Sequence, residues 1–196
     1  MYIAPQSALP SHRARRMSGV SLLELLVVIS IVGILFGVAA ASYKGITTSS
    51  RITGEINGLL GDMQYARSEA IKQGQSVIVC VSTTGTDCTP ASSNWDQGWI
   101  VFVDTPTHVT GGNTARILRT QRPFTGGDTL TNSTTTSVTF DREGLALNLL
   151  TIVSGNSGAV LELHNSTNDA TRTRCLQITN SGNVSVQTPS TLTSCT

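Results

Sequence analysis

A single carboxylate, Glu24, lies within an otherwise apolar or small run that follows a cluster of arginines, in the stretch RARRMSGVSLLELLVVISIVGILF, residues 13–36. A carboxylate inside a bilayer costs about 2.5–3.5 kcal/mol, so its presence there indicates a function and a partner group. The chemistry available to Glu24 is ion pairing with a buried cation. The sequence must therefore explain where that cation comes from.

Cys80, Cys88, Cys175 and Cys195 form an even set without a CxxC pair. Behind an export-type N-terminus they predict two disulfides formed in an oxidising compartment. Three pairings are open, and buried free thiols are the alternative. We favour Cys80–Cys88 and Cys175–Cys195 because each closes a short local loop, stabilising by roughly 2.5–3.5 kcal/mol in the chain-entropy model.

Other residues with chemical potential do not form a recognisable catalytic or metal-binding pattern. The stretch 155–158, Gly-Asn-Ser-Gly, lacks the strand–turn–helix context of a nucleophilic serine and predicts a turn. The three histidines have no metal-ligand spacing. We expect no enzyme, no metal and no cofactor.

The apolar run allows three interpretations. Val20–Tyr43 would form a helix about 36 Å long, which is enough to cross a hydrocarbon core of about 30 Å. It could be a secretory signal cut after Ala41, releasing a soluble β domain, since residues 39–41 fit the A-x-A pattern. It could also be a simple anchor. Neither interpretation gives Glu24 a role.

The third interpretation accounts for each of these features. A basic leader ending in Gly19, an apolar Val20 and an acid at Glu24, the fifth residue from Val20, resemble the class III signal of type IV pilins and type II secretion pseudopilins. The resemblance implies that a prepilin peptidase cuts between Gly19 and Val20, that Val20 is N-methylated, and that the apolar helix is kept.

The resemblance also supplies the missing cation. Cleavage creates an α-amine at Val20, which is positively charged near neutral pH, and Glu24 can pair with the amine of a neighbouring subunit. Buried ion pairs of this kind are better attested as devices that set register than as net stabilisers. We therefore expect Glu24 to set the axial register of assembly.

The elements that must position these residues follow from periodicity. Between residues 51 and 73, apolar side chains recur at helical spacing, namely Ile52, Ile56, Leu59, Leu60, Met63, Ala66, Ala70 and Ile71. Gly74 is a natural C-cap. Gly45, Gly54, Gly58 and Gly61 weaken this helix, which could bend or fray over 44–50. From residue 75 the period becomes two, which predicts antiparallel strands. These are 76–82, 98–104, 116–121, 137–141, 159–164, 174–178 and 183–187. The loop 126–136 and the tail 188–196 are expected to be the most flexible pieces.

Three stretches of the predicted head narrow the resemblance to one class of pilin-like protein. WDQGWIVFVD at 95–104, VTFDREGLA at 138–146 and RCLQITNSGNV at 174–184 are similar to the GspH/FimT class of minor pilins and pseudopilins. That class implies an α+β, pilin-like fold in which a long N-terminal helix, half transmembrane and half amphipathic, packs on an antiparallel β-sheet head. Trp95, Trp99, Ile100 and Phe102 are expected to be ordinary core residues.

DNA binding is the rival function within this class. Some FimT-type members bind DNA through a Gly-Arg-x-Arg element near the C-terminus, but the matching stretch 182–185 is Gly-Asn-Val-Ser. Without residues 1–19 the chain has 10 basic and 12 acidic residues, which is not the balance of a nucleic-acid binder. Arg172 and Arg174 could provide a weak displaced contact, helped by arginines at 116, 119 and 122. We expect solvated strand-edge charges instead, and no nucleic-acid partner.

The sequence thus predicts four segments: a leader at 1–19, a transmembrane and assembly helix at 20–43, an amphipathic helix at 44–74 and a β-rich periplasmic head at 75–196. Because Arg13, Arg15 and Arg16 keep the leader cytoplasmic, the head faces outward. The expected protein is a structural subunit of the bacterial inner membrane that enters a secretion pseudopilus or a type IV pilus. Its expected partners are other pilin subunits, the prepilin peptidase and the assembly platform.

Overall fold

The computed structural model describes residues 19–89, 92–104, 116–131, 135–147, 149, 151–153, 156–189 and 195, with side chains for all of these except 38–42 and 151–157. The chain forms two compact units, Met1–Lys44 and Gly45–Thr196. The described part of the first unit is the beginning of a long helix. The second unit contains the rest of that helix and the described strands, so it is an α+β body.

One α-helix, α1, comprises Leu22–Gln73. Its second half has the predicted amphipathic pattern, with these apolar side chains buried: Ile52, Ile56, Leu59, Met63, Ala66 and Ala70. Residues 44–50 are helical as well, so the fraying considered there is absent. Ile71 is 52 % exposed, so its assignment to the buried face was wrong. The helix ends before Gly74, whose φ of +64° confirms the expected C-cap.

The described strands form two antiparallel sheets. In chain order they are β1 Val77–Val81, β2 Trp99–Val103, β3 Arg116–Gln121, β4 Thr129–Thr131, β5 Ser137–Phe140, β6 Ala146–Leu147, β7 Thr151–Val153, β8 Asn156–His164, β9 Arg174–Thr179 and β10 Val184–Gln187. The first sheet has the order β3-β2-β1-β5-β6 and the second β10-β9-β8-β4, with β7 paired to β8. The seven predicted strands are confirmed; β4, β6 and β7 were not predicted.

One hydrophobic core joins the helix to both sheets. It contains the buried face of α1, the inward side chains of β1 and β2 from the first sheet, and those of β8 and β9 from the second. Trp95, Trp99, Ile100 and Phe102 are each no more than 1 % exposed, which confirms that they are packing residues. Trp95 also donates from Nε1 to the carbonyl oxygen of Thr135 at 2.9 Å, so its polar atom is satisfied in the interior.

Two loop predictions were wrong in part. The segment expected to be flexible at 126–136 contains β4, in which Leu130 is fully buried, because a buried side chain on a paired strand fixes the backbone. Residues 132–134 lie outside the described part. The turn expected at 155–158 was wrong for Asn156 to Gly158, which already pair with β7 as the start of β8. Gly155 is not among the described residues.

Candidate functional site

The predicted maturation site lies immediately before α1. Gly19 and Val20 are non-helical, Val20 is 70 % exposed, and no atom lies within 4 Å of the position that a Cβ on Gly19 would take. Glu24 lies in the first helical turn with an exposed side chain. The positive end of the helix dipole favours an acid at this position. Both the bond expected to be cut and the carboxylate therefore face outward from the chain.

The first half of α1 carries a continuous apolar surface. From Leu22 to Phe36 its large apolar side chains are 42–83 % exposed. A continuous run of exposed apolar side chains marks a contact with a membrane or with another protein. Across the residues that the structure describes, we find no helix with the length and apolarity needed to cross a membrane. The membrane span expected over 20–43 therefore stays a prediction.

In the second unit, α1 is held to the loop before β4 by a bidentate ion pair. Arg51 donates to Asp128 twice, from Nε to Oδ2 at 2.6 Å and from Nη2 to Oδ1 at 2.8 Å. The Asp128 side chain is fully buried and also accepts from the backbone N–H of Ser166 at 3.2 Å. This hydrogen bonding raises the pKa of Arg51. A Cβ on Gly126 would overlap the guanidinium, so a larger residue there would displace Arg51 from this position.

Glu55 lies one helical turn after Arg51 and competes for the same cation. Its Oε1 is 3.9 Å from Arg51 Nε, while its buried Oε2 has no hydrogen-bond partner among the described residues. Burial, and then the negative charge of Asp128, raise the pKa of Glu55 to about 7, with Arg51 opposing the shift. One guanidinium thus faces two carboxylates, and Glu55 is the one that retains its proton near neutrality.

A second polar cluster joins α1 to β2 and β3. Asp62 accepts from Trp99 Nε1 at 2.9 Å and from Arg119 Nη1 at 2.8 Å. The Arg119 guanidinium also lies 3.8 Å above the centroid of the Tyr65 ring, a cation–π contact. Arg119, named above as a helper for DNA, is therefore committed to the helix–sheet contact.

The stretch that replaces the Gly-Arg-x-Arg element, 182–185, covers the end of the tight turn between β9 and β10 and the first two residues of β10. Gly182, with φ of +73°, donates its N–H to the carbonyl of Thr179 at 2.8 Å. Arg67 of α1 holds this turn and its neighbour by donating to the carbonyls of Gly144 at 2.9 Å and Ser181 at 3.2 Å. At this turn the chain presents Asn183 to solvent rather than an arginine.

Arg172 and Arg174 lie elsewhere, around a 3-10 turn at Ala170–Arg172. Arg172 pairs with Asp169, Nη1 to Oδ2 at 3.3 Å, and hydrogen bonds from Thr171 lower the pKa of Asp169. Arg174 begins β9 in the second sheet, whereas the arginines at 116 and 119 lie on β3 in the first. Of the five arginines considered for DNA, three thus lie on strands, and these three belong to two different sheets.

The favoured disulfide pairing is confirmed. Cys80–Cys88 and Cys175–Cys195 have Cα–Cα distances of 5.6 and 5.7 Å. The first packs with Ile100 and Phe102 in a small apolar cluster separate from the main core. The second brings residue 195 back to β9, where its backbone N–H donates to Glu162 Oε1 at 2.9 Å. Each bridge therefore ties a strand to a residue outside the strands: Cys80 of β1 to Cys88, and Cys175 of β9 to Cys195.

Comparison with protein families decides the class. Residues 55–182, more than half of the chain, match the family model described as type II transport protein GspH. Residues 14–40 match the prokaryotic N-terminal methylation motif. The chain belongs to the GspH family. The resemblance to GspH/FimT-type subunits is thereby confirmed, and the GspH-family chain is a minor pilin or pseudopilin of type II secretion or of a type IV pilus. Family and fold are those of structural pilins.

Solved structures agree on the fold. Two crystal structures of the type IV minor pilin FimU from Pseudomonas aeruginosa PAO1 resemble this GspH-family chain. One has 19 % sequence identity and a TM-score of 0.51, covering 74 % of this chain and 98 % of its own. The other has 20 % identity and a TM-score of 0.52, with 76 % and 95 % covered. The pilin-like α+β fold is therefore confirmed. No curated protein matches the sequence.

Proposed function

We propose that this GspH-family chain is a structural minor pilin or pseudopilin, matured between Gly19 and Val20, whose N-terminal helix is kept as the element of assembly. The observation that carries the proposal is continuity: the methylation motif at 14–40 leads into a helix that continues directly into the GspH-type head. A signal that is discarded has no need to share a helix with the domain it exports.

In this proposal Glu24 is the register residue. The Val20 amine, created by cleavage and methylated, enters the apolar helix bundle of the filament together with the Glu24 carboxylate of a neighbouring subunit. Each charge satisfies the other, and a helix shifted along its neighbour would leave two unpaired buried charges. The exposed apolar side chains between Leu22 and Phe36 supply the packing surface of the bundle.

Before assembly the subunit is stored in the bacterial inner membrane, with residues 20–43 across the bilayer and the disulfide-braced head in the periplasm. Arg13, Arg15 and Arg16 hold the leader on the cytoplasmic side, where the prepilin peptidase acts. The assembly platform then transfers the subunit into a pseudopilus or a pilus, and its role there is mechanical.

The test is mass spectrometry of the N-terminus of the protein purified from membranes of the native host. We expect a mature chain that begins with N-methylated Val20. A chain beginning at Ser42 would show a discarded signal and would contradict the proposal. The variant Gly19→Ala is expected to leave the leader uncut. The matched control is Gly33→Ala, within the helix, which is expected to be processed normally.

A further inference from the structure

A cationic groove lies where the head begins. It has a volume of about 400 Å³ and is lined by residues of α1 and of the 3-10 turn before β9. These are Gly45, Ile46, Ser49, Ser50, Thr171, Arg172 and Arg174. Ile46 is 63 % exposed beside the two arginines, so the groove combines cationic, hydroxyl and apolar surface.

The arginines retain capacity for an anion. Arg172 Nη2 approaches α1, 3.5 Å from the position of a Cβ on Gly45, while its Nη1 faces Asp169. Arg174 uses only Nη1, donating to the carbonyls of Thr171 at 3.4 Å and Thr173 at 2.9 Å. Within the described chain, Arg174 Nε and Nη2 make no hydrogen bond. Two guanidinium groups and one carboxylate give the groove a net positive charge.

The position of the groove relative to the expected membrane span follows from chain connectivity. Gly45 is two residues after Tyr43, the last residue of the expected span, so it lies within about 7 Å of it in any arrangement. Ser50 is seven helical residues from Tyr43, a rise of about 10 Å. The headgroup layer on each side of a bilayer is about 5–8 Å thick. With residues 20–43 in the membrane, the groove therefore reaches the headgroups; this step rests on the proposed function.

We propose that this groove binds the phosphate of an anionic phospholipid headgroup and so holds the head against the membrane while the subunit is stored. Arginine matches phosphate because its planar fork donates two parallel hydrogen bonds. The hydroxyl groups of Ser49 and Ser50 add donors, whereas that of Thr171 already donates to Asp169 at 2.8 Å. The exposed Ile46 adds apolar surface. Entry into a filament requires release of this contact.

A nucleic acid fits the groove less well. Binding a DNA backbone depends on neutralising many phosphates in a row. The groove offers two arginines, one already paired, and the exposed arginines at 116 and 122 lie on or after β3 in the other sheet. The two arginines of the groove are therefore suited to binding a single phosphate group.

The test uses the full chain in detergent, with native mass spectrometry counting retained lipid. Phosphatidylglycerol, phosphatidylcholine, inorganic phosphate and a single-stranded oligonucleotide are the probes. We expect retention of phosphatidylglycerol over phosphatidylcholine, and about tenfold weaker retention in Arg172→Gln/Arg174→Gln. The control Arg122→Gln/Arg142→Gln removes the same charge elsewhere and is expected to bind as the original chain does. Circular dichroism must show that both variants are folded.

Three outcomes would overturn the lipid site: equal retention in the groove variant, an equal loss in the control, or displacement of phosphatidylglycerol by inorganic phosphate at equal concentration. Oligonucleotide binding that depends on the same two arginines and excludes lipid would replace it with DNA recognition. Flotation of the full chain with neutral phosphatidylcholine vesicles separates failure of the groove proposal from failure of the proposed membrane storage. Flotation without a phosphatidylglycerol preference rejects only the groove, while no flotation rejects membrane storage itself.

Discussion

At the scale of single residues, the head is organised by three charged contacts that α1 makes with distant segments. Arg51 meets Asp128, Asp62 meets Arg119, and Arg67 meets two backbone carbonyls. The first two pairs are 77 and 57 residues apart in sequence. Sequence patterns do not show these contacts, because nothing local to residue 51 or 62 specifies a partner so far along the chain.

The buried carboxylate of Glu55 makes stability depend on pH. Its pKa is about 7 in the folded chain against 4.5 for an ordinary glutamate, so the folded state holds a proton that the unfolded state releases. The free energy of unfolding is therefore expected to fall as pH rises from about 4.5 to about 7, by roughly 1–3 kcal/mol. Urea unfolding of the full chain in detergent at pH 4.5, 6 and 8 measures this.

The matched variants are Glu55→Gln and Glu143→Gln. The first keeps the neutral form at all pH values, so it is expected to remove most of this decline and to be more stable than the original chain at pH 8. Glu143 lies on the surface with its side chain 59 % exposed, so its amide variant should keep the original slope. An unchanged slope in Glu55→Gln would show that Glu55 does not hold the proton.

At the scale of elements, what the sequence predicted well was what repeats locally. The alternation at 76–82 and 98–104 predicted β1 and β2, and the spacing from Ile52 to Ala70 predicted the buried face of α1. β4 and β6 are too short, at three and two residues, to give an alternation. Ile71 fits the helical spacing and yet is exposed, because it lies beyond the last buried turn and covers Gly144.

The two disulfides are expected to contribute separately. Cys80–Cys88 closes a separation of 8 residues and Cys175–Cys195 one of 20. Their chain-entropy contributions are about 2.5 and about 3.3 kcal/mol. Thermal or urea unfolding of Cys80→Ser/Cys88→Ser and Cys175→Ser/Cys195→Ser is expected to show losses of this order. The second variant should also expose residues 188–196 to limited proteolysis, since Cys195 ties that end to β9.

Limited proteolysis tests the role of the second disulfide more directly than the unfolding measurement does. If the tail of Cys175→Ser/Cys195→Ser is cut no faster than that of Cys80→Ser/Cys88→Ser, the second bridge does not hold the C-terminal end. A loss of stability that is larger for the first pair would contradict the entropic account, because the shorter loop constrains the unfolded chain less.

At the scale of the whole molecule, an apolar helix with one acid leads into a GspH-type head that is fully folded on its own core. The N-terminal motif was visible in the sequence because its residues are adjacent, from Gly19 to Glu24. The partner proposed for Glu24 belongs to another subunit, so neither the sequence nor the fold of one chain contains the contact. An experiment on the assembled filament is therefore required.

Incorporation of Glu24→Ala into filaments tests the central claim most directly. The variant is expected to be cut between Gly19 and Val20 and to remain in the membrane, since Glu24 lies after the cut. Immunodetection in sheared pseudopili or pili, normalised to the membrane pool, should show at least a tenfold loss, with Ser30→Ala in the same helix incorporated normally. Incorporation of Glu24→Ala at the original level would contradict the register role and the account built on it.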